Sequence, residues 1–214
     1  MRVFVFKDRK CEPICEPKKV FLLLMKIEID ILSNPKRFVN EWSKLYDYGM
    51  EDVYSSNIDL GLKNYKSFFD LYRWKNGVYN ISTKKTRVIE EFWNKRKTLK
   101  ELQNSFDWTL FENEFQPQKS SCIWKIFLLH IISPTNFPIF DVHVYRFHHF
   151  ITNNKIKEIP NNQQSKYNYY KNEYFPWFNS IRENEGLNPK KMDESFFKMG
   201  QVLKSLKDVP FIIK

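Results

Sequence analysis

A chain of 214 residues of which 42% are hydrophobic can bury a sizeable core, which argues against a disordered polypeptide. Lys and Arg total 35 against 25 Asp and Glu, giving a formal charge of +10 and a pI near 9.3. That balance favours a polyanionic partner, nucleic acid before an anionic membrane. The longest apolar run, Val20 to Met25, falls far short of the roughly 20 residues that span a bilayer. Lys26, Glu28 and Asp30 break any secretory-signal pattern, so no membrane partner is expected and the cytoplasm is the expected location. Cys11, Cys15 and Cys122 are odd in number and lack a second pair at metal-ligand spacing. Neither a disulfide framework nor a zinc site is expected, and no cofactor is implied.

Along the chain, Arg2 to Phe6 alternates loosely and predicts a short N-terminal strand. Nearly everything after it reads as helix. In "NPKRFVNEWSKLYDYG", Asn34 is placed to cap and Pro35 to open a helix with Phe38, Val39, Trp42 and Leu45 on one face and Gly49 as its stop. The same spacing recurs through Tyr65, Phe68, Phe69 and Tyr72, ending at Asn76 and Gly77. A further helix is predicted through "KKTRVIEEFWNKRKTLKELQ", with Val88, Ile89, Phe92 and Trp93 inward and Lys95, Arg96, Lys97 and Lys100 gathered toward its end.

"KSSCIWKIFLLHIIS" opens at Ser120 or Ser121 and is apolar on almost every side from Ile123 to Ile132, which predicts a central buried helix. "PTNFP" stops it. Asp141 then caps the next helix, whose Val144, Phe147 and Ile151 face inward. The polar stretch "TNNKIKEIPNNQQS" reads as a long surface loop. Two closing helices follow, one interrupted near Pro176 and one opened by Asn188 and Pro189, with Phe196, Phe197 and Val202 inside. The expected fold is all-α: one compact helical protein, with two lobes at about residues 1–115 and 116–214 and a cleft between them at the central helix and the Asp141 turn.

The segment "PIFDVHVYR", with Asp141, His143, Val144 and Tyr145, follows a buried helix and a proline-containing connection. In this it resembles the helix-hairpin-helix DNA glycosylase superfamily, which includes endonuclease III and 8-oxoguanine DNA glycosylase. The resemblance covers about Lys119 to Ile151. It implies that Asp141 both caps its helix and serves the reaction. Two departures stand out. The family's glycine-rich hairpin is replaced by "FQPQKSSCIWK", which has no glycine, and Cys122 and Ile123 stand where strand-cleaving members carry a nucleophilic lysine. Lys119 and Lys125 lie about one helical turn to either side and are the candidate substitutes.

Cleaving an N-glycosidic bond builds positive charge on the deoxyribose, so a carboxylate fixed beside C1′ can stabilise the transition state and orient water. The resemblance therefore implies a monofunctional DNA glycosylase, a monomer acting on double-stranded DNA with an altered base, in repair or in defence against modified foreign DNA. Trp74 and Trp124 are the candidate stacking partners of an extruded base. Lys119, Ser120, Ser121, His143 and Arg146, with the run Lys95, Arg96, Lys97 and Lys100, are the candidate DNA contacts. His143, His148 and His149 fall on different helix faces and suggest no metal centre, and His130 is expected to bond within the core. The rival reading is a non-catalytic nucleic-acid-binding protein of the same fold.

Overall fold

A computed structural model describes residues 33–206. The predicted strand at Arg2 to Phe6 and the Cys11–Cys15 pair lie outside the described residues. Within them the fold is all-helical: α1 Pro35–Ser43, α2 Glu51–Asn57, α3 Tyr65–Asn76, α4 Thr83–Asn94, α5 Arg96–Asn104, α6 Trp108–Phe115, α7 Cys122–Ile132, α8 Val142–Asn153, α9 Gln163–Tyr169, α10 Phe175–Glu185 and α11 Pro189–Leu206.

Local chemistry accounts for most of the helix ends. The Asn34 side chain accepts the Arg37 N–H at 3.0 Å, and Pro35 opens α1. The Asn64 side chain does the same for Ser67 at α3, which stops at Gly77 with φ +69, the left-handed turn that glycine adopts without strain. Asp107 caps α6 through the N–H groups of Thr109 and Leu110.

Three expectations are corrected. Helix α1 ends at Ser43, before Gly49, so Leu45 leaves the apolar face and is 53% exposed. The single helix predicted from Lys84 to Gln103 breaks at Lys95 into α4 and α5. The interruption near Pro176 is a π-helical turn, Tyr170–Tyr174, that joins α9 to α10 without a gap.

Helix α7 forms the centre. Ile126, Phe127, Leu128 and Leu129 are at most 1% exposed, as expected of a segment apolar on all sides. Its lone histidine is fully satisfied: His130 Nδ1–H donates to the Phe137 carbonyl at 2.8 Å, and Nε2 accepts the Tyr54 hydroxyl at 2.7 Å. Helix α11 packs along α8 and α1, so the C-terminal helix lies against the first described one. The closest approach is at Gly200, where a Cβ would stand 2.9 Å or less from the Cα, carbonyl carbon and carbonyl oxygen of His143. One hydrophobic cluster runs from Phe38 to Leu203 and spans both halves of the chain.

Candidate active site around Asp141

After α7 the chain turns and runs through Pro138 to Phe140 into Asp141, the N-cap of α8. Asp193 of α11 fixes this approach. Its buried carboxyl group takes the Ile139 N–H between both oxygens, at 3.2 and 3.3 Å. Burial pushes that carboxyl well above the ordinary carboxylate range.

The two oxygens of Asp141 have separate surroundings. Oδ1 accepts the N–H groups of His143 at 2.8 Å and Val144 at 3.0 Å, which satisfies the first turn of α8. Oδ2 accepts no hydrogen bond from the described residues and faces Lys75 Nζ at 3.6 Å. Capping therefore consumes one oxygen and leaves the other available for chemistry. Lys75 comes from the last turn of α3, and only 7% of its side chain is exposed. Its ammonium also lies 5.8 Å from the centre of the Phe127 ring.

Both groups open into a cavity of about 110 Å³. Since on the order of 10–15 Å³ of such volume holds one water, there is room for a planar ring. Aromatic walls come from Tyr46, Tyr48, Trp74 and Phe197; Lys190, Asp193 and Glu194 add polar groups. The Tyr48 hydroxyl donates to the Trp74 carbonyl at 2.8 Å and fixes the wall on the α3 side. Lys190 is held by Glu51 at 2.6 Å and Glu194 at 3.5 Å and lies over the Tyr54 ring at 4.3 Å. Trp74 Nε1 is a buried donor with no partner among the described residues. Aromatic faces, a spare donor and a carboxylate at the edge form a site suited to a flat polar ring.

The other sequence candidates lie elsewhere. Lys119, Ser120 and Lys125 line a separate polar cavity of about 330 Å³ with Lys95. Lys125 donates to the Ser120 hydroxyl at 3.1 Å and to the Gln116 carbonyl at 3.3 Å, at the C-terminal end of α6, and burial lowers its pKa. Neither Lys119 nor Lys125 shares the Asp141 cavity; the lysines that do are Lys75, which faces Asp141, and Lys190. Ser121 takes a left-handed conformation, φ +49, and its side chain does not cap α7. The Cys122 N–H is taken by the Gln163 side chain at 2.9 Å. Trp124 lies beside Tyr72 and under Lys85, in a groove away from Asp141, whereas Trp74 lines the cavity.

His143 turns toward α11, with Nδ1 accepting from Arg146 at 3.1 Å and its ring 4.9 Å from Phe197; burial lowers its pKa. Arg146 is buried, donates to the Gly200 carbonyl at 2.9 Å and pairs with Glu158 at 2.8 Å, which makes it a strut between α8, α11 and the following loop. Lys95, Arg96, Lys97 and Lys100 are exposed around the α4–α5 break, with Lys95 paired to Glu114 at 3.3 Å. Among the described residues no cluster of His, Cys, Asp and Glu could hold a metal ion, and no helix is long and apolar enough to cross a membrane.

Sequence reasoning missed Lys75, Lys190, Asp193, Tyr46 and Tyr48, and it placed Phe197 in the core. The one signal was in "YRWKNG", where Lys75 follows Trp74 on the last turn before a glycine stop. No family model matches the chain, and no curated protein or solved structure matches it.

Proposed function

We propose that the chain is a DNA glycosylase that takes an altered base out of the duplex into the aromatic cavity and releases it with Asp141. The observation that carries this reading is the division of labour on Asp141: Oδ1 holds the helix, while Oδ2 is left at the cavity beside Lys75. As the glycosidic bond breaks, the sugar gains oxocarbenium character. A carboxylate oxygen already fixed in position stabilises that charge without reorganising and can orient the attacking water. The net charge of +10 supports a duplex partner, and the exposed cations around the α4–α5 break suit backbone contact. Incubation with duplexes carrying a panel of altered bases, followed by detection of free base and alkali-labile sites, tests the reading. Duplex binding without release from any member would favour the non-catalytic alternative.

A second reading, strand cleavage after base release, is favoured by the position of Lys75. In its neutral form the Lys75 amine, nearly buried and 3.6 Å from the carboxylate, can add to C1′ of the abasic sugar and form a Schiff base with loss of water; loss of a C2′ proton then expels the 3′ phosphate by β-elimination.

A further inference from the structure

Asp141 and Asp193 line the same cavity in opposite surroundings. Asp141 has two N–H groups on Oδ1 and the Lys75 ammonium 3.6 Å from Oδ2, which are the partners of a carboxylate. Asp193 is 5% exposed and meets a single side-chain donor, the Ile139 N–H, which its two oxygens share. Among the described residues it has no ion-pair partner. Two cations face it, and both are engaged elsewhere: Lys75 with Asp141, and Lys190 with Glu51 and Glu194. The other ionisable groups toward it are Tyr54 of α2, Tyr170 and Tyr174 of the π-helical turn and Asp141 itself, none of them a cation.

A buried carboxylate with one shared N–H and no bonded cation would carry an uncompensated charge, and such a group takes up a proton instead. Burial moves Asp193 in that direction. The acid form carries an O–H, and among the described residues no acceptor lies within hydrogen-bond distance of it. The cavity is the open side of this group. Trp74, whose buried Nε1–H also lacks a partner among the described residues, lines the same space. An occupant is therefore met by unpaired donors as well as by the Asp141 carboxylate.

We propose that Asp193 is the general acid of base release, giving its proton to the departing base while Asp141 faces the charge that develops on the sugar. The inference rests on the base-excision reading for the occupant of the cavity. The C1′–N bond breaks with its electron pair passing to the base, and the Asp193 proton moves onto a nitrogen or carbonyl oxygen of that base. Water adds its oxygen to C1′ and gives a proton to Asp141. That proton returns to Asp193 as the products leave, so the net change is hydrolysis of the glycosidic bond. A base that leaves as a poor anion needs such a donor most. The two carboxyl groups thus divide the reaction, one acting on the sugar and one on the leaving group.

The test uses the full chain. Carbon-13 spectra of protein labelled at the aspartate carboxyl carbons should show one protonated carboxyl group at about pH 7, absent from Asp193→Asn. No protonated aspartate signal in wild type overturns the proposal, whatever the variant does. Asparagine still accepts the Ile139 N–H through its carbonyl oxygen, so Asp193→Asn should fold, which thermal unfolding checks. On an altered duplex that wild type processes, its single-turnover release of base should fall on the order of 100-fold. With a fluorine on the ring of the same base, which makes it a better leaving group, the defect should shrink to about tenfold or less. An equal loss on both duplexes would mean that Asp193 only positions the Asp141 turn, and release at the wild-type rate would leave it no part in the reaction; either result overturns this inference and leaves the excision reading standing. No release of base by wild type from any altered duplex would remove both.

Discussion

Lys75 Nζ and Asp141 Oδ2 face each other at 3.6 Å across the wall of one cavity, although they sit on helices far apart in the chain. This pairing sets the first prediction. Lys119→Ala and Lys125→Ala should retain base release, since both side chains serve a different cavity. Lys75→Met should slow it by about tenfold or more, through loss of the charge that positions Asp141. A borohydride-trapped DNA adduct, if one forms, should disappear in Lys75→Met. An adduct that survives there and vanishes in Lys125→Ala would show that the wrong amine has been identified.

The second prediction concerns the crossing of α8 and α11. A methyl group at Gly200 has no room against the His143 backbone, and neither helix can withdraw without uncovering Phe147 and Phe196, whose rings stack at 4.6 Å. Gly200→Ala should cost about 3 kcal/mol in urea unfolding, the upper part of the range for overpacking. A change below about 0.5 kcal/mol would mean that the helices do not meet at this point.

Acid sensitivity supplies the third. Burial lowers the pKa of both His130 and His148 from 6.5 to about 3. Between those values the unfolded chain binds protons that the folded chain excludes, so each histidine removes stability as pH falls below about 6.5 and has no effect on the slope above it. Each contributes about 1.4 kcal/mol per pH unit in that window. Asp193 and Glu194, with raised pKa values, work in the opposite sense, so the contribution is best read by difference. His130→Gln and His148→Gln should each reduce the pH slope of unfolding free energy between about pH 6 and 4 by about one proton. Parallel slopes in wild type and variants would contradict the burial of these rings.

Much of the helical framework was legible because its signals are local. Asn34, Gly77 and Asp141 mark helix ends by their own side chains or their lack of one, and the continuous apolar run of α7 announced a buried helix. The break at Lys95 was not legible, since "NKRKT" contains neither glycine nor proline and either a continuous or a broken helix suits its charges. The site was legible only at Asp141 and Trp74. Lys75, Lys190 and Asp193 each look like ordinary solvated or capping charges in sequence, and only the packing of α3, α8 and α11 turns them toward one cavity. Arg146 shows the reverse. A cation beside the candidate carboxylate suggests a DNA contact, but helix periodicity points it at Gly200 and Glu158.

The most direct test of the central claim compares wild type with Asp141→Asn under single-turnover conditions, on whichever altered duplex the wild type processes, with duplex affinity and thermal stability measured on the same preparations. Asparagine caps a helix about as well as aspartate, so stability should change by less than about 0.5 kcal/mol and affinity should hold. It offers no negative oxygen to the developing oxocarbenium ion, so release of free base should fall by at least about 100-fold. Excision by Asp141→Asn at the wild-type rate would contradict the account and leave Asp141 as a helix cap alone.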